Sequence, residues 1–145
     1  MEDNLERAAT KFQKLTARLR RFGPGAFPLD EAGISHSMVL LLDYVADHPG
    51  CGIQEMAHGV ELATPTVSLT VNQLQKAELL ERQPDPQDGR AVLLFLSPAG
   101  QELHQRISNF RRQKFGRLLA GLTDQERSTL LELLEKALGV AEDQE

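Results

Sequence analysis

Four histidines, one cysteine and a scatter of carboxylates are the residues of this 145-residue chain that could do catalysis, hold a metal or sense an oxidant. A redox sensor needs an exposed thiol with a lowered pKa, helped by nearby positive charge or a helix N-terminus. Cys51 stands in "GCG", with His48 close in sequence, but the chain has no second cysteine to resolve an oxidised first one. It reads as an inert loop cysteine. Glu55 and His58 are spaced i, i+3 and could share a metal ion. Metal sites normally need three or four converging ligands, so these two, with His36, His48 and His104, read as ordinary surface or core residues. Asp85 and Asp88 fall on one polar loop, where nothing would shift their pKa toward acid–base work. G-x-S-x-G, Walker and H-E-x-x-H motifs are absent. The expectation is no catalytic residue, no metal, no cofactor and no enzyme.

Those residues have to be positioned by helices. A chain of this length suits one domain, or a domain with a dimerisation extension, and would bury about 70% of its unfolded surface. A net charge of −5 and 5% aromatic residues fit a soluble cytosolic protein, without the overall basic charge common in nucleic-acid binders. No apolar run approaches the roughly 20 residues a membrane span requires. The start of the chain lacks the apolar region of a signal peptide, so a cytoplasmic location is expected.

Leu5, Ala8, Phe12, Leu15, Leu19 and Phe22 alternate in steps of three and four, predicting an amphipathic helix over about Asp3–Phe22. "GPGAFP" ends it. A second helix starts near Ser35 or Ser37 and buries Met38, Leu41, Leu42 and Val45. "HPG", at positions 48–50, stops it. "IQEMAHGV" is a short helix burying Ile53, Met56, Ala57 and Val60. "TPTVSLTVNQLQKA" is another, with Thr64 as N-cap, Pro65 in its first turn, and Val67, Val71 and Leu74 inward. Two strands follow, about Leu79–Gln83 and Ala91–Leu96, joined by the charged turn in "RQPDPQDGRAV". Ser97 and Pro98 open a helix carrying Leu103, Ile107, Phe110 and Leu118. Thr123 and Glu126 form a capping box for a last helix lined by Leu130, Leu131, Leu134 and Leu138, and the tail "AEDQE" is expected to fray.

Two short helices joined by a tight turn have helix-turn-helix spacing. A hairpin directly behind the second makes a winged helix. The fold class expected is mainly α with a small β-hairpin. Residues 35–96 form the winged helix-turn-helix lobe, and residues 1–34 and 97–145 form a helical dimerisation region. The outer helices carry apolar stripes too long for one lobe, which a second copy would cover about a two-fold axis.

The stretch "TPTVSLTVNQLQKAELLERQPDPQDGRAVLLFLSPAGQEL", with "GLTDQERSTLLELL" further on, resembles the MarR family of bacterial transcriptional regulators. The resemblance implies a homodimer binding a pseudo-palindromic operator in double-stranded DNA, commonly a repressor released by a small anionic or phenolic effector. It places the helix from Thr64 in the major groove, with Thr64, Pro65, Thr66, Ser68, Leu69, Asn72, Gln73 and Lys76 toward the DNA. Hydroxyls at its N-terminus suit phosphates, and Asn72 or Gln73 could read adenine. Arg90 matches a wing arginine sent into the minor groove, and Asp88 a carboxylate that pairs with and aims it. Phe12, Arg18, His36 and Tyr44 are candidate lining residues of an effector pocket. The plainer alternative is that the polar residues are a solvated helix face and the wing charges ordinary surface charges.

The chain also departs from the family pattern. Leu69 stands where a basic residue is usual, and Gly89 replaces the first of two adjacent wing bases. Glu61 and Glu78 occupy positions where glycine is common. Between Glu61 and Leu96, three bases (Lys76, Arg82, Arg90) face five acids, a net of −2. Affinity for DNA comes largely from phosphate neutralisation, so binding is expected to be weak or strongly salt-sensitive. The same charge keeps open an alternative: a winged-helix sensor or protein-interaction module. The basic run "HQRISNFRRQKFGR", with Arg106, Arg111, Arg112, Lys114 and Arg117, could attract an anionic effector or flanking DNA, or be the solvated face of a long dimer helix.

Overall fold

The computed structural model describes residues 2–22, 28 and 33–145. Helix α1 (Glu2–Leu19) tightens into a 3-10 turn at Arg20–Phe22; the predicted "GPGAFP" break lies largely outside the described residues. Then come α2 (His36–Asp47), α3 (Ile53–Val60), α4 (Thr64–Lys76), β1 (Leu80–Pro84), β2 (Val92–Leu96), α5 (Pro98–Leu119) and α6 (Asp124–Glu142). The strands pair antiparallel with Leu80 opposite Leu96 and Pro84 opposite Val92. This is the winged-helix order expected, mainly helical with one hairpin.

Local chemistry explains most boundaries. Ser35, not Ser37, caps α2, its hydroxyl accepting the Met38 N–H at 3.2 Å. Ser97 and Thr123 cap α5 and α6 as predicted, the latter in a reciprocal box with Glu126. Two expectations need correction. The cap of α4 is Ala63 and not Thr64, since the first helical bond runs from the Val67 N–H to the Ala63 carbonyl. The C-terminal tail frays less than expected, because α6 continues through Glu142.

The core lies between α2, α3, α4, the hairpin and the first half of α5. Leu41, Leu42, Met56, Val67, Val71, Leu74, Leu94 and Ile107 are fully buried there, each contributing roughly 1.5–3 kcal/mol relative to exposure. Cys51 joins this core. The Gly50 N–H donates to the Leu94 carbonyl at 2.8 Å, and the Leu94 N–H to the Cys51 carbonyl at 2.9 Å, so the "GCG" segment is zipped onto β2. Burial, aided by nearby Glu55, pushes its thiol up to about 11, in keeping with an inert cysteine.

Tyr44 locks α2 to α3. Its ring stacks on His48 with centroids 4.2 Å apart and fills the space a Cβ at Gly59 would need. By contrast, α1 and α6 bury no residue within one chain. Leu5, Phe12, Leu130, Leu131, Leu133, Leu138 and Val140 stand exposed along them.

Candidate nucleic-acid interface

Helix α4 buries Val67, Thr70, Val71 and Leu74. Helical geometry then turns Pro65, Thr66, Leu69, Asn72, Gln73 and Lys76 outward together, and all six are exposed. Thr64 is exposed as well, while Ser68 is partly covered. The predicted outward face therefore exists as one surface. At its centre Leu69 keeps 60% of its area exposed, an apolar side chain among hydroxyls and amides.

The start of α4 has no side-chain cap. Alanine at the cap position offers no oxygen, and Pro65 has no N–H to donate. The remaining N–H groups of the first turn have no acceptor within the helix, and Thr64 and Thr66 are both exposed there. An uncapped helix N-terminus of this kind is suited to a phosphate.

Both helices of the helix-turn-helix end in left-handed residues that are not glycine. Glu61 (φ 56) and Glu78 (φ 62) occupy the positions after α3 and α4. The Leu62 N–H reaches the Ala57 carbonyl at 3.1 Å, and the Leu79 N–H reaches that of Leu74 at 2.9 Å. These are Schellman closures, whose reversal of the chain requires positive φ. They fix the angle between α3 and α4, and between α4 and β1.

The wing tip is built by its two aspartates. Asp85 Oδ1 accepts the Gln87 N–H at 2.9 Å, and Asp88 Oδ1 accepts the Arg90 N–H at 3.1 Å. The main chain closes the loop between Asp85 and Ala91 at 3.1 Å. The expected pairing of Asp88 with the Arg90 side chain is corrected accordingly. The carboxylate holds the arginine's main-chain N–H, because two residues along the chain the amide is its nearest donor. Among the described residues the Arg90 guanidinium has no ion-pair partner and stands exposed.

Sequence reasoning missed Arg82. Its Nη2 donates to Asn72 Oδ1 at 2.7 Å, joining the outer face of α4 to the first strand of the wing. The signal was present in the period-two alternation of β1, which puts Arg82 on the same side as buried Leu80. Arg111 was also missed as a specific contact. It leaves the basic run on α5 to grip Asp43 on α2. Lys114 lies 5.5 Å from the ring centroid of Phe110.

The effector candidates fare less well as a group. Phe12 and Arg18 are exposed on α1, His36 is exposed at the start of α2, and Tyr44 is taken up in the α2–α3 packing. None of the four lines any of three surface depressions, one of which (about 380 Å³) is bordered by Val45, Pro49, Phe95, Gln101, His104 and Gln105. Among the described residues no group of three or more potential ligands could hold a metal, and no helix is long and apolar enough to cross a membrane.

A family model described as "MarR family" matches residues 34–92, the stretch from the start of α2 to the start of β2. The chain carries a MarR-family domain. A protein of Thauera aromatica, described as a candidate transcriptional regulatory protein for the hcr operon, is 28% identical over 104 residues. That match takes in 72% of this chain, which spans 63% of the relative's own length. A MarR family protein from Bacillus stearothermophilus superposes with a TM-score of 0.86 at 17% identity, over 97% of both chains. Streptococcus pneumoniae FabT, solved in complex with DNA, superposes at 0.76 and 17% identity over the full length of both. These structural likenesses establish the fold. The MarR family and the Thauera relative are concerned with transcriptional regulation, not with catalysis.

Proposed function

We propose that this protein is a cytoplasmic, homodimeric, sequence-specific DNA-binding regulator of transcription, a repressor relieved by a small anionic or phenolic effector. The observation that carries the reading is the outer face of α4. Thr66, Leu69, Asn72, Gln73 and Lys76 share one exposed face beside an uncapped helix N-terminus, and that face is hydrogen-bonded to the wing through Arg82. In this reading residues 35–96 bind the operator. Residues 1–34 and 97–145 pair two chains through the exposed apolar stripes of α1 and α6. Two recognition helices would then meet successive major grooves about 34 Å apart. Arg90 would enter the minor groove.

A fluorescence-anisotropy titration at low salt, using the intergenic DNA upstream of the gene, tests this together with a solution mass. A dimer that prefers that duplex over unrelated DNA supports the regulator. A monomeric mass, or no preference among duplexes, counts against it. The net charge of −2 across Glu61–Leu96 favours a second reading, a winged-helix sensor or protein-interaction module, which such a negative result would bring forward.

A further inference from the structure

We propose that Asn72 and Arg82 act as one composite reader of guanine in the operator half-site, an inference that rests on the DNA-binding reading above. Asn72 projects from the outer face of α4, between Leu69 and Lys76. Its carboxamide oxygen is engaged by Arg82 Nη2 at 2.7 Å. The guanidinium therefore sits at the recognition surface, although it comes from a strand.

The contact changes what Asn72 can recognise. A free asparagine amide reads adenine in two directions, accepting from N6 and donating to N7. Here a cationic donor already occupies the oxygen. The Asn72 amide hydrogens and the remaining guanidinium N–H groups are not used in this contact, and both residues are exposed, so the pair presents donors in excess of acceptors. Guanine is the base whose major-groove edge offers two acceptors, N7 and O6. Adenine would bring its N6 donor against a positive charge.

Charge balance points the same way. Arg7, Arg111 and Arg127 each pair with an aspartate. Arg82 has no carboxylate partner among the described residues, although its own lobe holds an excess of acids. Its charge is held by an amide and remains uncompensated until an acceptor arrives.

The test begins by selecting bound duplexes from a random DNA library with the full-length protein. Each guanine of the selected duplex is then replaced by 7-deazaguanine, which removes only the N7 acceptor. One guanine per half-site should respond with a roughly ten- to hundred-fold loss of affinity. Asn72→Ala and Arg82→Ala, both at exposed positions, should each abolish the preference at that same base pair. The double variant should lose little more than either single one. Selected duplexes with adenine at that position, or affinity indifferent to every 7-deazaguanine, would overturn the guanine reader while leaving DNA binding intact. A library that yields no preferred duplex would overturn the regulator reading, and this inference with it.

Discussion

Arg111 of α5 holds the Asp43 carboxylate of α2 in a two-point grip, Nη1 to Oδ2 at 3.1 Å and Nη2 to Oδ1 at 2.8 Å. His104, nearly two helical turns earlier on α5, reaches the same Oδ1 at 3.0 Å. All three side chains are 22–28% exposed, so water weakens the pairing only in part. The contact clamps the winged-helix lobe to the long helix that leads into the C-terminal region. Arg111→Ala should cost roughly 1.5–3 kcal/mol of stability, the range for hydrogen bonds to charged groups. Chemical denaturation of Asp43→Ala, Arg111→Ala and the double variant would show a coupling between them. Strictly additive losses would mean the clamp is incidental.

Glu61 and Glu78 point to a different kind of weakness. Each holds an L-residue backbone in the left-handed region, at a cost of about 1–2 kcal/mol. Glycine removes that strain but gives back part of the gain through its freer unfolded chain. Glu61→Gly and Glu78→Gly should therefore each stabilise the protein by roughly 0.5–1 kcal/mol, read as a raised denaturation midpoint. Glu61→Gly also removes a negative charge from the turn that leads into α4. It should tighten DNA binding at low salt. A glycine variant less stable than the parent would show that the glutamate side chains make contacts outweighing the strain.

These two positions also show what was legible in the sequence. The departure from glycine could be read from the residue types, but its energetic meaning needed the φ angles. Helix boundaries were legible because caps and apolar periodicity are local, as at Ser35, Ser97 and Thr123. The Ala63 cap was not, because Thr64 is the better capping residue by type and only the hydrogen-bond register decides between neighbours. The outward face of α4 was legible from its 3.6-residue period. The partners of Asn72 and Asp43 were not: the alternation of β1 gives the side of the strand on which Arg82 lies, but not that Asn72, 10 residues away, meets it, and Arg111 lies 68 residues from Asp43. The burial of Cys51 was hidden for the same reason, as it depends on main-chain bonds to Leu94.

The Cys51 thiol gives a pH-dependent prediction. Burial first, then Glu55, raise its pKa from an ordinary 9.0 to about 11. The folded state therefore favours the neutral thiol more than the unfolded chain does. That contribution is fully present below pH 9 and is lost as pH rises toward 11. Denaturation midpoints of the native protein should fall across this window more steeply than those of Cys51→Ala. At neutral pH an alkylating reagent should modify Cys51 only as fast as the protein unfolds. Rapid alkylation of the folded protein would contradict the burial and exclude an inert role.

Gly89 offers the most direct test of the wing. No atom lies within 4 Å of where its Cβ would stand, and its φ is not in the left-handed region. Glycine is therefore not required by this turn, which Asp85 and Asp88 shape through their own side chains. Gly89→Arg would place a second cation beside Arg90 without disturbing the loop. If each wing tip lies in a groove, each added arginine neutralises about one phosphate, so a dimer gains about two. The slope of log affinity against log salt should steepen by about that number, with a gain of roughly three- to ten-fold at low salt. Arg90→Ala should change both quantities in the opposite direction. A Gly89→Arg variant that folds normally yet shows the parental salt slope would place the wing away from the duplex, and would leave α4 as the sole contact surface.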